Sequence, residues 1–283
     1  MRHEEVNQSG TNLKHTTARV RSAVCLALMS VGTASGVKDD RAEREVTFKA
    51  ADGWKIIGSL HVPQSKTKVP AVLLVHGSRH ESDAYGNLTA PGIPQTLSRN
   101  GIATLRIDIR GRGASREPRD FHSMAPDERA RVALDVEAAT KFLGSQRGVD
   151  AGRIGIVAEQ DTATAAVLAS ARNRRVLAFI LISGRLSQSA KDAIGRTSAA
   201  ILCLVSKEDR RGFKDMTDAF LSSKSDRSHI KVYEGLALGT TMFSTWRNEF
   251  PSEQPIDEMA GVWLAEMLNG SIGSETLRGR KAR

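Results

Sequence analysis

The chain has 283 residues, which is enough for one α/β domain with a sizeable core or for two small domains. Hydrophobic residues make up 40% of the chain and aromatic residues only 5%, so Val, Ile, Leu and Ala are expected to dominate the core. The formal net charge is +9, but no basic stripe is interleaved with aromatic side chains, so a nucleic-acid partner is not expected.

The N-terminal segment has the order of residues that is typical of a secretory signal. In "KHTTARVRSAVCLALMSVGTASG", basic residues precede an apolar run, and small residues follow it. We expect cleavage near Ala34 to Gly36 and an exported protein, either secreted or periplasmic. The alternative is a cytoplasmic protein whose N-terminal helix is disordered or packed on the core. The apolar run is too short to span a bilayer comfortably, and no other long apolar segment follows, so no transmembrane segment is expected in the mature chain.

Four regions are predicted along the chain. Residues 1–36 form the signal, 37–44 a linker, 45–270 one α/β domain and 271–283 a basic tail. The two cysteines give no disulfide framework, because Cys25 lies in the signal and Cys203 lies in the apolar run "AAILCLVS", where a buried small hydrophobe is expected.

The first half of the domain predicts a hairpin, two buried strands and a helix. "EVTFKA" and "KIIGSLHV" flank the turn Asp52-Gly53, which favours an antiparallel pair. "PAVLLVHGS" and "IATLRIDIRGRG" are continuous apolar runs, as expected of strands that are covered on both faces. One long helix is predicted after Pro126, with acidic residues in its first turn.

The second half alternates between strands and helices. "RIGIVAE" is followed by the helical pattern "TATAAVLASARN", and "VLAFILISG", "AAILCLVS" and "IKVYEG" predict three more strands. Helices are predicted near residues 212–223 and over "IDEMAGVWLAEML". This alternation predicts an α/β fold with about eight mostly parallel strands and helices on both faces. The short connection after "ILISG" leaves room for little or no cap over the sheet.

Ligands of such sheets bind at the carboxyl ends of the strands, so the informative residues directly follow each strand. In this chain these segments are residues 76–78, 108–113, 158–162, 206–209 and 235–240.

Three of these segments resemble those of α/β-hydrolase-fold proteins. "AVLLVHGS" is similar to the strand and His-Gly turn that supplies an oxyanion-hole amide, "RIDIRGRGAS" to an Asp-x-Arg-Gly-x-Gly-x-Ser motif, and "GVDAGRIGIVAEQDTATAA" to the approach to a nucleophile elbow. The resemblance covers residues 46–268. It is to the branch of dienelactone hydrolases, prolyl oligopeptidases and serine aminopeptidase-like enzymes.

The resemblance implies a catalytic triad in the chain order nucleophile, acid and histidine, with the serine on a tight G-x-S-x-G turn. The nucleophile position is Gln160, the acid position is Asp209 and the histidine position is Leu238. The resemblance also places the two oxyanion-hole amides at Ser78 and Asp161. The triad is therefore degenerate, since only its acid remains.

A non-catalytic protein follows as the first functional hypothesis, because a glutamine amide is a poor nucleophile and leucine cannot accept a proton. Such a protein would keep binding of a small molecule or a protein as its function, and no cofactor is implied. In it, Asp209 would serve as a helix N-cap or an ion-pair partner, and Asp108 and Arg110 would brace their loop.

The second hypothesis is a hydrolase of an ester, amide or lactone with altered catalytic residues. Asp161 would become the nucleophile only if the elbow moved by one residue, which would place Glu159 where a small side chain is favoured. His76, His80 and His122 are pocket candidates, although the resemblance makes His76 structural. A metal site is not expected, because no third ligand accompanies His76 and His80. A third hypothesis is an interaction module whose basic surface or basic C-terminal tail binds acidic partners.

Overall fold

A computed structural model describes residues 4–6, 43–79, 85 and 90–270 of the chain. Nine strands in these ranges form one sheet: β1 (Glu4–Val6), β2 (Arg44–Lys49), β3 (Lys55–His61), β4 (Val69–Val75), β5 (Ala103–Asp108), β6 (Val149–Glu159), β7 (Val176–Ile182), β8 (Ala200–Ser206) and β9 (His229–Tyr233). The helices are α1 (Gly92–Arg99), α2 (Pro126–Ala130), α3 (Val132–Ser145), α4 (Thr162–Ser170), α5 (Gln188–Ile194), α6 (Arg210–Ser222), α7 (Thr241–Glu249) and α8 (Ile256–Asn269).

The strands lie in the order β1-β9-β8-β7-β6-β4-β5-β3-β2. The six strands from β9 to β5 in this order are parallel to their neighbours, whereas β3 pairs antiparallel with both β5 and β2. Strands β2 to β9 confirm the predicted sheet of about eight mostly parallel strands, including its hairpin. The short β1 adds an antiparallel edge to β9 from within the predicted signal. The rest of that signal and the basic tail lie outside the described residues.

The central strands consist of uninterrupted apolar residues because helices cover both faces of the sheet. In β4, Leu73 and Val75 pack on one side, towards α3, α4, α5 and α6, whereas Val72 and Leu74 pack on the other, towards α1, α7 and α8. Alternate side chains of a strand point to opposite faces, so both sets must be apolar. Cys203 in β8 belongs to the first layer, and burial raises the pKa of its thiol.

The sequence pattern missed three helices and merged two others. Helix α1 contains Pro94, which suggests a break, but this proline lies in the first turn, where its missing N–H has no intrahelical acceptor. Helix α5 occupies the short connection between β7 and β8, and α7 follows Thr240. The predicted long helix is interrupted at Arg131, where the Arg131 amide donates to the Glu128 carbonyl and the Leu134 amide donates to the Arg131 carbonyl. None of the helices in the described ranges is long and apolar enough to span a bilayer.

The loop after β5 is built around the buried guanidinium of Arg110. Arg110 pairs with Asp135 of α3 at 2.7 Å and with Asp52 of the β2–β3 turn at 2.7 Å, and it lies over the Trp54 ring. Asp108 accepts the Ala114 amide. The hydrogen bonds from Arg110 hold the pKa of Asp52 below its ordinary value. Asp108 and Arg110 thus brace the loop, as predicted.

Replacing Arg110 by Ala is expected to lower the free energy of unfolding by about 3–5 kcal/mol, because the fully buried Asp135 carboxylate would lose its cation. Urea denaturation of the two proteins measures the difference. The control is Lys214→Ala, which removes the exposed partner of Asp218 and is expected to cost less than about 1 kcal/mol. Equal losses in the two variants would contradict a bracing role for Arg110.

Candidate functional site

The connection between β6 and α4 is a sharp elbow with Gln160 at its apex. Gln160 has a φ of +48°, a conformation that costs a residue with a side chain roughly 1 kcal/mol or more. Asp161, in contrast, has a φ of −72° and precedes the first helical residue. The apex therefore lies at the residue that the resemblance aligned with the nucleophile. The alternative elbow, moved by one residue to Asp161, does not form in this structure.

Contacts with β7 and its following loop hold the strained elbow in place. The Gln160 amide donates to the Ile182 carbonyl at 2.9 Å, and the Arg185 amide donates to the Gln160 carbonyl at 2.8 Å. Thr162, at the second glycine position of the motif, donates its hydroxyl proton to the Glu159 carbonyl at 2.8 Å. These bonds explain how the elbow persists without small residues at every motif position.

The residue before the apex, Glu159, connects the elbow to two other loops. Its fully buried carboxylate accepts the Gly77 amide at 3.1 Å, the Thr240 amide at 2.6 Å and the Thr240 hydroxyl at 3.1 Å. Gly77 belongs to the His-Gly turn after β4, and Thr240 belongs to the loop after β9. One carboxylate thus joins the three segments that would carry an oxyanion hole, a nucleophile and a histidine.

The side chain of Gln160 lies between the same two loops. A Cβ placed on Gly77 would be 3.5 Å from Gln160 Oε1, and one placed on Gly239 would be 2.8 Å from Gln160 Nε2. Gly239 has a φ of +62° and would collide with Glu159 if it carried a side chain, so glycine is required there. Leu238, at the predicted histidine position, directly precedes Gly239 and is 38% exposed.

The first predicted oxyanion donor is occupied by a carboxylate of the chain itself. The Ser78 amide donates to Asp161 Oδ1 at 2.9 Å. An oxyanion hole presents amide protons to a developing negative charge. In this structure one of those protons already faces an acidic side chain.

Asp209, at the predicted acid position, is both a helix N-cap and an ion-pair partner. It is buried at the N-cap of α6, where it accepts the Gly212 amide at 3.0 Å. It also forms a two-point ion pair with Arg185, with N–O distances of 2.7 and 2.8 Å. Its carboxylate is therefore committed to a cation and a helix terminus.

His76 is a structural residue that is fully buried behind the His-Gly turn. Its Nδ1 lies 2.8 Å from the Gly77 carbonyl, and its Nε2 lies 3.3 Å from the Ile109 amide, which is a donor. These partners select the neutral tautomer with a proton on Nδ1. Burial lowers the pKa of His76 and outweighs the nearby carboxylates, so the ring remains neutral.

A cleft of about 400 Å³ opens beside the elbow and brings together Ser78, Asp161 and His122. His122 lies on a single helical turn with Phe121, whose ring it contacts edge-on.

His80 lies outside the described residues. In the part of the chain that is described, no group of three His, Cys, Asp or Glu side chains could hold a metal ion.

Sequence reasoning missed Glu159, Ser183 and Arg185. The Ser183 hydroxyl accepts the Gly239 amide at 3.0 Å, and Ser183 itself has a φ of +47°. The one available signal was Glu159, a charged residue that ends an apolar strand pattern, since a buried carboxylate requires partners.

Comparison with solved structures shows that the chain has the α/β-hydrolase fold. It superposes on a dienelactone hydrolase from Anabaena variabilis with a TM-score of 0.61 at 20% identity, covering 80% of this chain and 98% of that one. An esterase from Pyrococcus furiosus gives a TM-score of 0.62 at 12% identity over 80% and 93% of the two chains. An α/β hydrolase from a Penicillium species gives 0.61 at 14% identity over 81% and 100%.

Sequence comparison finds a likeness that covers a shorter part of the chain. A thiohydrolase from Aspergillus aculeatus is 26% identical over 144 residues, which is 51% of this chain and 42% of that protein. This chain therefore matches less than half the length of that relative. No family model matches the sequence.

Replacing Glu159 by Gln is expected to lower the free energy of unfolding by about 1–3 kcal/mol, because the new amide N–H₂ would face a backbone N–H that needs an acceptor. Denaturant titration at an unchanged m-value measures this loss. The matched control is Glu208→Gln, since Glu208 is exposed and also accepts a loop amide, that of Gly235. We expect the control to change stability by less than about 0.5 kcal/mol, and an equal effect of both changes would refute the connecting role of Glu159.

Proposed function

We propose that this chain is a non-catalytic protein of the α/β-hydrolase fold whose cleft beside the elbow binds a ligand. The observation that carries the proposal is the identity of the apex residue. The strained φ of +48° belongs to Gln160, so the backbone presents a carboxamide where the fold's enzymes present a nucleophile. An amide of this kind does not attack a carbonyl carbon at a useful rate.

The electrostatics of the oxyanion position support the same proposal. The Asp161 carboxylate accepts the Ser78 amide and would repel a second negative charge at that place. In enzymes, removal of one oxyanion donor reduces kcat by about 10²–10³-fold. The site is thus deficient in a second way that is independent of the missing nucleophile.

The remaining members of a triad are also unsuited to proton transfer. Leu238 has no basic atom, and Asp209 is held by Arg185 and by the start of α6. A carboxylate orients a histidine in a triad, but here its partner is a guanidinium that is always charged.

The alternative is a hydrolase of an ester, amide or lactone that uses other residues. The names of the similar proteins, a dienelactone hydrolase, an esterase and a thiohydrolase, favour carbonyl chemistry of this kind. Its specific support is that a carboxylate and an imidazole, those of Asp161 and His122, line the same cleft.

The first experiment measures turnover of activated acyl esters and acyl thioesters by the purified chain. We expect no turnover above a mock preparation. The double variant Gln160→Ser, Leu238→His is expected to gain little, because Asp161 still occupies the Ser78 amide. Adding Asp161→Ala should raise the rate by a further factor of about 10², which is the usual worth of one oxyanion donor.

Two controls separate the hypotheses. Circular dichroism and thermal melting establish that each variant is folded. In the native background, Asp161→Asn and His122→Ala should change nothing if the chain is non-catalytic. Turnover by the native chain that is lost in either of these variants would sink the proposal and establish the alternative hydrolase.

We also propose that the chain is exported, on the basis of the order of basic, apolar and small residues in its first 36 positions. Cleavage there would remove β1 and leave β9 at the edge of the sheet. The expected result is a protein outside the cytoplasm whose intact mass corresponds to a start near Ala34 to Gly36. Leu28→Arg, which interrupts the apolar run, should retain the chain in the cytoplasm. An uncleaved native chain in the cytoplasm would contradict export.

A further inference from the structure

The cleft beside the elbow combines one acidic group with an apolar wall. Its volume of about 400 Å³ suits a small organic molecule. Its lining includes Ser78, Phe121, His122, Arg129, Asp161 and Leu168.

Two hydroxyl groups of this lining are already engaged with the protein. The Thr162 hydroxyl donates to the Glu159 carbonyl, and the Thr164 hydroxyl donates to the Arg185 carbonyl. The Asp161 carboxylate differs from them, because it is exposed to solvent and accepts the Ser78 amide at one oxygen. A carboxylate offers about four acceptor positions, so it keeps capacity for donors of a ligand.

The cation that shares the cleft is committed to the neighbouring loop. The guanidinium of Arg129 donates to the Met124 carbonyl at 3.0 Å and to the His122 carbonyl at 2.8 Å, and it lies 5.7 Å from the centre of the Phe121 ring. These contacts hold the wall of the cleft together. They leave Asp161 as the acidic group that a ligand would meet at the elbow.

Farther along α4 from the elbow, the lining of the cleft is apolar. Leu168 of α4 is 43% exposed, and Ala165 lies three residues earlier, about one turn away on the same helix face. A ligand with an apolar body would cover Leu168 while its polar end reached the elbow.

We infer that this cleft binds a small amphipathic amine, with the ammonium group on the Asp161 carboxylate and the apolar body against Leu168 and Phe121. The inference rests on the proposed non-catalytic function and deepens it, since it names the ligand class of the same cleft. The polarity is opposite to that of an oxyanion hole: the elbow accepts hydrogen bonds from a cation where a hydrolase donates them to an anion.

Three probes with the same apolar body test the inference: 4-phenylbutylamine, 4-phenylbutanol and 4-phenylbutyrate. Their affinities for the full chain are measured by titration calorimetry. We expect the amine to bind about tenfold more tightly than the alcohol, because charge-assisted hydrogen bonds are roughly twice as strong as neutral ones. The butyrate should bind most weakly, since its charge would be repelled by Asp161.

Two matched pairs of variants assign the effect to residues. Asp161→Asn keeps an oxygen for the Ser78 amide and should abolish the preference for the amine over the alcohol, whereas Asp127→Asn, on the exposed α2, should leave it unchanged. Leu168→Ala should weaken the amine and the alcohol by the same factor. Its control is Leu221→Ala, because Leu221 is 68% exposed and lies outside the cleft lining.

The outcomes are distinct for the two claims. Equal binding of amine and alcohol, tightest binding of the butyrate, or no binding of any probe would overturn the amine inference. Retention of the preference in Asp161→Asn would overturn it as well. Ester turnover by the native chain is the separate result that would overturn the non-catalytic function, whichever probe binds best.

Discussion

The buried carboxylate of Glu159 is the contact on which the geometry of the site depends. It accepts backbone amides from the turn after β4 and from the loop after β9, and it belongs to the elbow itself. A buried carboxylate without partners would cost several kcal/mol, so these three segments must stay together in the folded state. The position of the Gln160 side chain, between Gly77 and Gly239, is a consequence of this constraint.

The polar groups around the elbow have hydrogen-bond and ion-pair partners within the chain. The Ser78 amide is met by the Asp161 carboxylate, and the Asp209 carboxylate is met by the Arg185 guanidinium. Two of the groups that the resemblance assigns to acyl transfer, the Ser78 amide and the Asp209 carboxylate, thus have internal partners. The backbone of a catalytic elbow and the chemistry of a catalytic elbow are separable, because the backbone is held by contacts with β7 that do not involve a nucleophile.

Much of the fold followed from local patterns. Continuous apolar runs predicted β4, β5, β7 and β8 because strands covered on both faces need apolar residues at every position. The hairpin followed from its Asp-Gly turn. Patterns failed at α1, whose first turn contains a proline, and at Arg131, where one predicted helix divides into α2 and α3. Helix breaks of this kind depend on which backbone groups already have partners, and a pattern of residue types does not record them.

The sequence by itself determined which residues follow each strand, and its resemblance to α/β hydrolases predicted Gln160, Asp209 and Leu238 at the positions of a catalytic triad. It also determined that the residue at the predicted nucleophile position is Gln160 and not a serine. Only the tertiary structure decided the partners of these residues: that Glu159 joins two loops about 80 positions away in the chain, that Asp161 accepts the Ser78 amide, and that Arg185 pairs with Asp209. The physical reason is that a charged or polar group takes its ordinary role from its neighbours in space, and those neighbours are brought together by the packing of the whole sheet.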